Sequence, residues 1–297
     1  MLSSPRFRCA ILGCLTFALV FLTAVTEVAT AAPGTNVMLV PRRVVFTGRM
    51  RSTEVHLINA GLAPVTYRID LAERRMLPDG HLEEVADLGP DGRSARPLLR
   101  YSPRQVTIQP QSSQTVRLLL RKPADLPPGE YRSHLVCRAL PPLPPRTAKP
   151  ADEEATAERR MKFQLTALPS ITIPVIVRHG DRLTASVRLT GLELRPGKDA
   201  KSSPRLSFQV NREGPISVFG DLSLSFVPKG GGGIRPLAVS RGTAIYRELS
   251  SLPEEMSLNL PPGEALGPGR LRLTFLSRPD DDGGGAPVAA TAEIELP

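Results

Sequence analysis

Period-two alternation of apolar and polar residues runs through most of this chain and restricts it to β-structure. Val55, Leu57 and Asn59 alternate with polar neighbours, as do Val65, Tyr67, Ile69 and Leu71, and then Val116, Leu118 and Leu120. Successive side chains of a strand point to opposite faces, so this pattern builds sheets with one face on a core. Tyr131 to Leu140 continues the pattern. Turn signals punctuate the runs: Asn59-Ala60-Gly61, Pro78-Asp79-Gly80, Pro90-Asp91-Gly92 and Pro127-Pro128-Gly129. The 31 prolines among 297 residues argue against a helical bundle, because proline breaks helix interiors. The expected class is all-β, built as sandwiches.

The longest alternation comes in the middle of the chain. Phe163, Leu165, Ala167, Pro169, Ile171, Ile173, Val175 and Val177 place an apolar residue or proline at every odd position. A strand of this length exceeds the usual 3–10 residues. Pro169 and Pro174 cannot donate to a ladder, which suggests a sheet edge or a bend between domains. Before it lies a loop, residues 141–160, opening on Pro141-Pro142-Leu143-Pro144-Pro145 and continuing as a charged, alanine-rich segment. Connections this long are uncommon inside a compact domain unless they are functional.

A second strand series follows Gly180: Leu183 to Leu189, Leu206 to Val210, Val218 to Phe226, Leu237 to Tyr246, Leu271 to Leu276 and Val288 to Leu296. The expected organisation is therefore an N-terminal sandwich over 32–178, with a long strand over 161–178, and a C-terminal sandwich over 179–297.

Residues 1–31 are set apart as an export signal. Arg6 and Arg8 precede an apolar run from Cys9 to Val25, and Ala29-Thr30-Ala31 supplies small residues for cleavage. The run is short for a membrane anchor, so no stable membrane insertion is expected after cleavage. Ile11-Leu12-Gly13-Cys14 also resembles a lipoprotein motif, but too few residues separate it from Arg8 to hold the apolar region. Loss of Arg6, Arg8 and Glu27 takes the formal charge from +9 to +8. Cys9 and Cys14 leave with the segment, so Cys137 stands alone and no internal disulfide can form. The expected location is the periplasm.

The residues of familiar reaction centres are missing. His56, His81, His134 and His179 do not pair at metal-ligand spacing, and His56 and His134 read as outward strand residues. There is no Gly-x-Ser-x-Gly elbow and no phosphate-cradling glycine loop. Asp280-Asp281-Asp282-Gly283-Gly284-Gly285 lacks the alternation of a calcium loop and reads as a solvated hairpin tip. No metal, cofactor or nucleic acid is expected: the arginines are scattered over strands, and only 4% of residues are aromatic. The chain reads as a binding protein and not an enzyme. One basic pair, Arg42-Arg43, sits inside an otherwise apolar strand expected over Val37 to Phe46.

Taken in order, several segments resemble the periplasmic chaperones of the chaperone–usher pathway of pilus assembly. Val40-Pro41-Arg42-Arg43-Val44-Val45-Phe46, then Val55-His56-Leu57-Ile58-Asn59, look like that family's opening strands. Ser102-Pro103-Arg104 with Gln114-Thr115-Val116-Arg117-Leu118 is similar to its proline–arginine and glutamine–valine–arginine stretch. Gly129-Glu130-Tyr131-Arg132 matches the strand that follows. The second half carries Ile173-Pro174-Val175-Ile176-Val177-Arg178-His179-Gly180, Asn211-Arg212-Glu213-Gly214 and Gly220-Asp221. The archaic-type branch is the closer likeness.

The resemblance implies two immunoglobulin-like domains in a boomerang arrangement, with pilus or fimbrial subunits and an outer-membrane usher as partners. It implies that Phe163, Leu165, Ala167, Ile171 and Ile173 are donor-strand residues filling an incomplete subunit. Burying Phe163, Leu165, Ile171 and Ile173 in a subunit would contribute roughly 6–12 kcal/mol before association costs. It further implies that Arg43 anchors the subunit's C-terminal carboxylate. The lysine that shares this task in the family falls on Thr172 or Pro174, so it is missing; Arg42, Arg178 and Arg132 are the candidate helpers. The rival readings are an exported structural β-sandwich protein, such as a pilus subunit or adhesin, and a periplasmic carbohydrate-binding or hydrolytic enzyme. The stretch after Ala31 is too short and proline-broken for a subunit's donor extension, and the absence of tryptophan argues against sugar binding.

Overall fold

The computed structural model describes residues 37–89, 92–141, 168–181, 183–197, 202–261, 264, 266–278 and 287–297. Seventeen strands and one three-residue 3₁₀ turn, Arg96–Leu98, make up the regular structure among them. No helix among the described residues is long and apolar enough to cross a membrane.

The N-terminal sandwich uses ten strands. In chain order they are β1 (Val37–Val40), β2 (Val44–Phe46), β3 (Ser52–Asn59), β4 (Val65–Met76), β5 (Leu82–Val85), β6 (Leu99–Ser102), β7 (Gln105–Ile108), β8 (Ser112–Leu120), β9 (Gly129–Ala139) and β10 (Ser170–His179). One sheet runs β1-β3-β8-β6; the other runs β2-β10-β9-β4-β5, with β7 also paired to β4. The inward residues are the alternating set read from the sequence. Val55, Leu57, Val65, Tyr67, Ile69, Leu71, Val116, Leu118 and Leu120 form the core with Phe46, Leu135 and Val175. Asn59 closes the series as a buried polar residue with its bonds made. Its amide nitrogen donates to the carbonyls of Ala63, Ile108 and Gln109, and its side-chain oxygen accepts from the N–H of Gly61. A buried polar group satisfied this way fixes the turn instead of destabilising it.

The run from Val37 to Phe46, continuous in the sequence pattern, is two strands in two sheets. β1 pairs antiparallel with β3, and β2 pairs parallel with β10. Pro41 has no N–H to continue a ladder, so the chain leaves one sheet there and enters the other at Val44. This switch sets Arg43 at the mouth of β2.

The C-terminal sandwich uses β11 (Ser186–Arg195), β12 (Arg205–Glu213), β13 (Val218–Pro228), β14 (Arg235–Ile245), β15 (Ser251–Ser257), β16 (Gly269–Ser277) and β17 (Ala289–Leu296). Its sheets are β11-β12-β15 and β14-β13-β16-β17. Leu206, Phe208, Val210, Leu222, Leu224, Leu271, Leu273 and Phe275 fill a core separate from the first. The segment Ser251–Ser257 carries Pro253, Glu254 and Glu255, which hid β15 from a hydrophobic-pattern reading.

A small third cluster joins the two sandwiches. Met76, Ile176 and Tyr246 are buried together, with Val45, Leu82, Ala244 and Leu249 around them. His134 belongs to this junction. It was expected to face outward into solvent; instead it is 1% exposed, with Tyr246 edge-on to its ring at 6.2 Å. The period-two pattern gave its face correctly, but a second domain covers that side of the sheet.

Candidate functional site: a basic cleft between two sandwiches

β10 divides into two unlike halves. β9 flanks it from Ser170 to His179. On the other side β2 pairs only with Val175, Ile176 and Val177. Ser170 to Pro174 therefore form a sheet edge on that side among the described residues. Pro174, lacking an N–H, sits at the last position before β2 begins. The odd residues of this stretch point into the chain's own sandwich.

That placement corrects one expectation. Ile173, assigned to the donor set, is 3% exposed and belongs to the N-terminal core. Ile171 is half-buried against the same core. A side chain packed at home cannot also fill a partner. Phe163, Leu165 and Ala167 lie outside the described residues.

Where the edge of β10 meets the C-terminal sandwich, a cleft of about 780 Å³ opens. Its lining includes Arg42, Arg43, Arg241 and Arg278, against the acidic Asp79 and Glu254. Of the four guanidinium groups, that of Arg278 is already paired with Asp221 at 2.8 Å. Asp79 accepts from the backbone N–H of His81 at 3.0 Å and meets its ring at 3.1 Å, which hold its carboxyl below the ordinary range. Burial raises the Glu254 carboxyl, favouring its neutral form.

Arg43 is half-buried in this cleft and held by groups from the other sandwich. Its guanidinium carbon lies 4.6 Å from the centre of the Phe219 ring and 5.8 Å from that of Tyr246. Nη2 donates to Ser217 Oγ at 3.5 Å. Stacking on an aromatic face orients a guanidinium and fixes the direction of its planar fork. Arg42 is exposed on the same wall, and Pro174 lines it too. Of the two positions where the resemblance seeks a lysine, Pro174 lines the cleft and Thr172 is not among its lining residues, and neither carries a cation.

The other candidate helpers are occupied. Arg178 Nε donates to Glu130 Oε2 at 3.1 Å, with side-chain exposures of 8% and 2%. Its Nη2 donates to the Ser217 carbonyl at 3.1 Å. Arg132 Nη2 meets Glu248 Oε1 at 2.5 Å and the Arg74 carbonyl at 2.6 Å, while its guanidinium sits 3.7 Å from the centre of the Tyr246 ring. An incoming carboxylate would have to displace Glu130 or Glu248. Arg178 and Arg132 are therefore junction residues, not helpers. Sequence reasoning missed their partners because each pair spans two distant segments: Glu248, Ser217 and Tyr246 come from the C-terminal half.

Glu130 completes the lock by accepting from the Ser217 N–H at 3.1 Å, and Glu248 by accepting from the Met76 N–H at 2.8 Å. Cys137 is buried among apolar neighbours, and burial pushes its thiol up to about 12, so it behaves as a small hydrophobe. Among the described residues no group of acids, histidines or cysteines could hold a metal ion.

No protein-family model matches this chain, and no curated protein matches it. Several solved structures are similar. A YadV chaperone aligns at 17% identity over 88% of this chain and 100% of its own, with a TM-score of 0.42. A CupB2 chaperone from Pseudomonas aeruginosa aligns at 15% identity over 87% of this chain and 100% of its own, with a TM-score of 0.39. The CsuC–CsuE chaperone–tip adhesion subunit pre-assembly complex from Acinetobacter baumannii aligns at 13% identity, covering 86% of this chain and 97% of the matched chain, with a TM-score of 0.40.

Proposed function

We propose that this protein is a periplasmic chaperone of pilus subunits that works by lending a strand and holding the subunit's terminal carboxylate. The observation that carries this reading is the run of β10 from a one-sided edge at Ser170–Pro174 to the rim of a cleft containing Arg43. An unpaired edge offers main-chain donors and acceptors to an extended partner, and a guanidinium at its end fixes where that partner stops. The ordered sequence motifs support the same reading. Phe163, Leu165 and Ala167 precede the edge in the chain and are the donor residues this reading retains. With Ile173 committed to the home core, burial of Phe163 and Leu165 contributes roughly 3–6 kcal/mol, and main-chain pairing supplies the rest. The partners are pilus or fimbrial subunits, delivered to an outer-membrane usher; the protein has no catalytic step of its own.

Co-expression with exported β-rich proteins encoded beside it tests this. A subunit should accumulate in the periplasm and co-purify only when this protein is present. Equal accumulation without it overturns the reading. Leu165→Glu should fold normally yet fail to co-purify with the subunit; retained co-purification removes Leu165 from the donor set.

A further inference from the structure

Two stretches of this chain carry charge of one sign. Residues 41–53 hold four arginines and residues 93–124 hold seven arginines or lysines, with no aspartate or glutamate in either. The fold brings part of both to one corner of the sheet β1-β3-β8-β6. Ser52 of β3 and Arg100 of β6 flank Leu119 of β8 in register. The Leu120 N–H donates to the Arg51 carbonyl at 2.8 Å, and the Arg121 N–H to the Leu98 carbonyl at 2.8 Å. Opposed residues share a sheet face, so Leu119 and Arg100 point outward together, and Arg121, two residues on from Leu119, follows them. The turn 47–50, closed by the Met50 N–H on the Thr47 carbonyl at 3.1 Å, leads into this corner. It stands clear of the body: Gly48 has φ +53° and open space where a Cβ would be.

Arg49, Arg51, Arg100 and Arg121 are exposed, and Lys122 is half-buried at their edge. Burial first, then the Arg51 charge, lower the pKa of Lys122, a sign of how closely these cations sit. Among the described residues none of the five is ion-paired; Arg100 and Lys122 donate to the carbonyls of Leu99 and Arg178. Glu54, on the same sheet face, is taken by Arg117 at 2.9 Å, and Asp125 is the acid that ends the second stretch. Two large apolar side chains stay in water among the cations, Met50 at 43% exposure and Leu119 at 40%. An anionic bilayer surface suits both features, since phosphates take the guanidinium groups while apolar tips enter the interface.

We propose that this corner docks peripherally on an anionic phospholipid bilayer, with Arg49, Arg51, Arg100, Arg121 and Lys122 on headgroup phosphates and Met50 and Leu119 in the interface. The shape favours a membrane over a protein chain: a projecting turn carries Arg49-Met50-Arg51 beside an open sheet face, and the arginine stems extend the apolar area. The basic cleft lies against the other sheet of the same sandwich, where Met76 and Pro174 line it. The outer faces of a two-layer sandwich point opposite ways, so a docked molecule keeps its cleft in solvent. This inference does not depend on the chaperone reading.

The chain has no tryptophan, so a single introduced indole reports only its own surroundings. Leu119→Trp, in protein purified from the periplasm after export, is titrated with phosphatidylcholine vesicles made with or without phosphatidylglycerol. Its emission should shift to the blue only with phosphatidylglycerol, and high salt should reverse the shift. Val239→Trp, exposed on the C-terminal sandwich, should not shift. Adding Arg51→Gln and Arg121→Gln to the Leu119→Trp protein should weaken vesicle binding about tenfold or more. Arg68→Gln with Lys229→Gln, which removes the same charge elsewhere, should weaken it much less. Urea unfolding checks that Leu119→Trp is folded, and Met50→Trp replaces it as reporter if it is not. The site is overturned if the reporter ignores phosphatidylglycerol, if Val239→Trp shifts equally, or if both double variants weaken binding alike, which would leave net charge as the cause. A shift with soluble polyglutamate but not with vesicles would make the occupant an acidic chain, and the membrane reading would fall.

Discussion

The junction between the sandwiches has a closed side and an open side, both built from arginine. On the closed side Arg178 and Arg132 are buried, and each meets a carboxylate from a different segment. On the open side Arg43, Arg42 and Arg241 line a cleft whose acidic residues are Asp79 and Glu254. The same side chain serves opposite ends because burial decides its energetics. A desolvated guanidinium must be paired to be tolerated, whereas an exposed one such as that of Arg42 or Arg241 keeps its hydration. Ser217 ties the two sides together: its N–H and carbonyl serve Glu130 and Arg178, and its hydroxyl accepts from Arg43. Locking the domains therefore also positions the cleft arginine.

The contrast can be broken first on the closed side. Glu130→Ala should cost about 3–5 kcal/mol in urea unfolding, because Arg178 is left buried without its carboxylate. The double change Glu130→Ala with Arg178→Met should recover much of that loss; a double variant as unstable as the single one would show that the pair contributes through more than its charges.

Next comes the buried histidine between the two sides. Burial first, then repulsion from Arg132, Arg74 and Arg43, lower the His134 pKa to about 3. Its folded value lies below its unfolded value near 6.5, so the unfolded chain binds the extra proton between these limits. The stability it contributes is complete above pH 6.5 and falls as pH drops towards about 3, by about 1.4 kcal/mol per pH unit. Urea unfolding at pH 7, 6, 5 and 4, compared with His134→Leu, isolates this slope; identical slopes in both proteins would refute the assignment.

On the open side the effects on stability should be small. Arg43→Ala should lose the aromatic stacking, about 0.5–2 kcal/mol, while abolishing subunit capture. A larger loss in thermal or urea unfolding would move Arg43 to the structural side of the comparison. Arg241→Gln should change stability by no more than about 0.5 kcal/mol, since the group is exposed.

Much of the fold was legible because strand alternation is a local property. The core positions from Val55 to Leu120 and from Leu206 to Phe275 are those that the period of two selects. The break at Pro41 was also written in the chain, although the apolar run on either side concealed it. β15 was hidden because Pro253, Glu254 and Glu255 interrupt its apolar pattern. Of the site, Arg43 stood out as a charge inside an apolar run. Its aromatic seat on Phe219 did not, because that ring lies well over a hundred residues away along the chain. An isolated glycine in a strand pattern, Gly242, was the one local sign of the register slip between β13 and β14 beside that ring.

The sequence by itself determined an all-β chain, two strand series and an edge-prone central strand, all consequences of side-chain period and of proline's missing N–H. Tertiary structure alone decided the fate of each charge. Arg178, Arg132 and Arg43 are chemically alike along the chain. Only the docking of the second sandwich buries two of them against Glu130 and Glu248 and leaves the third facing a cleft, because desolvation depends on what covers a side chain and not on which residues precede it.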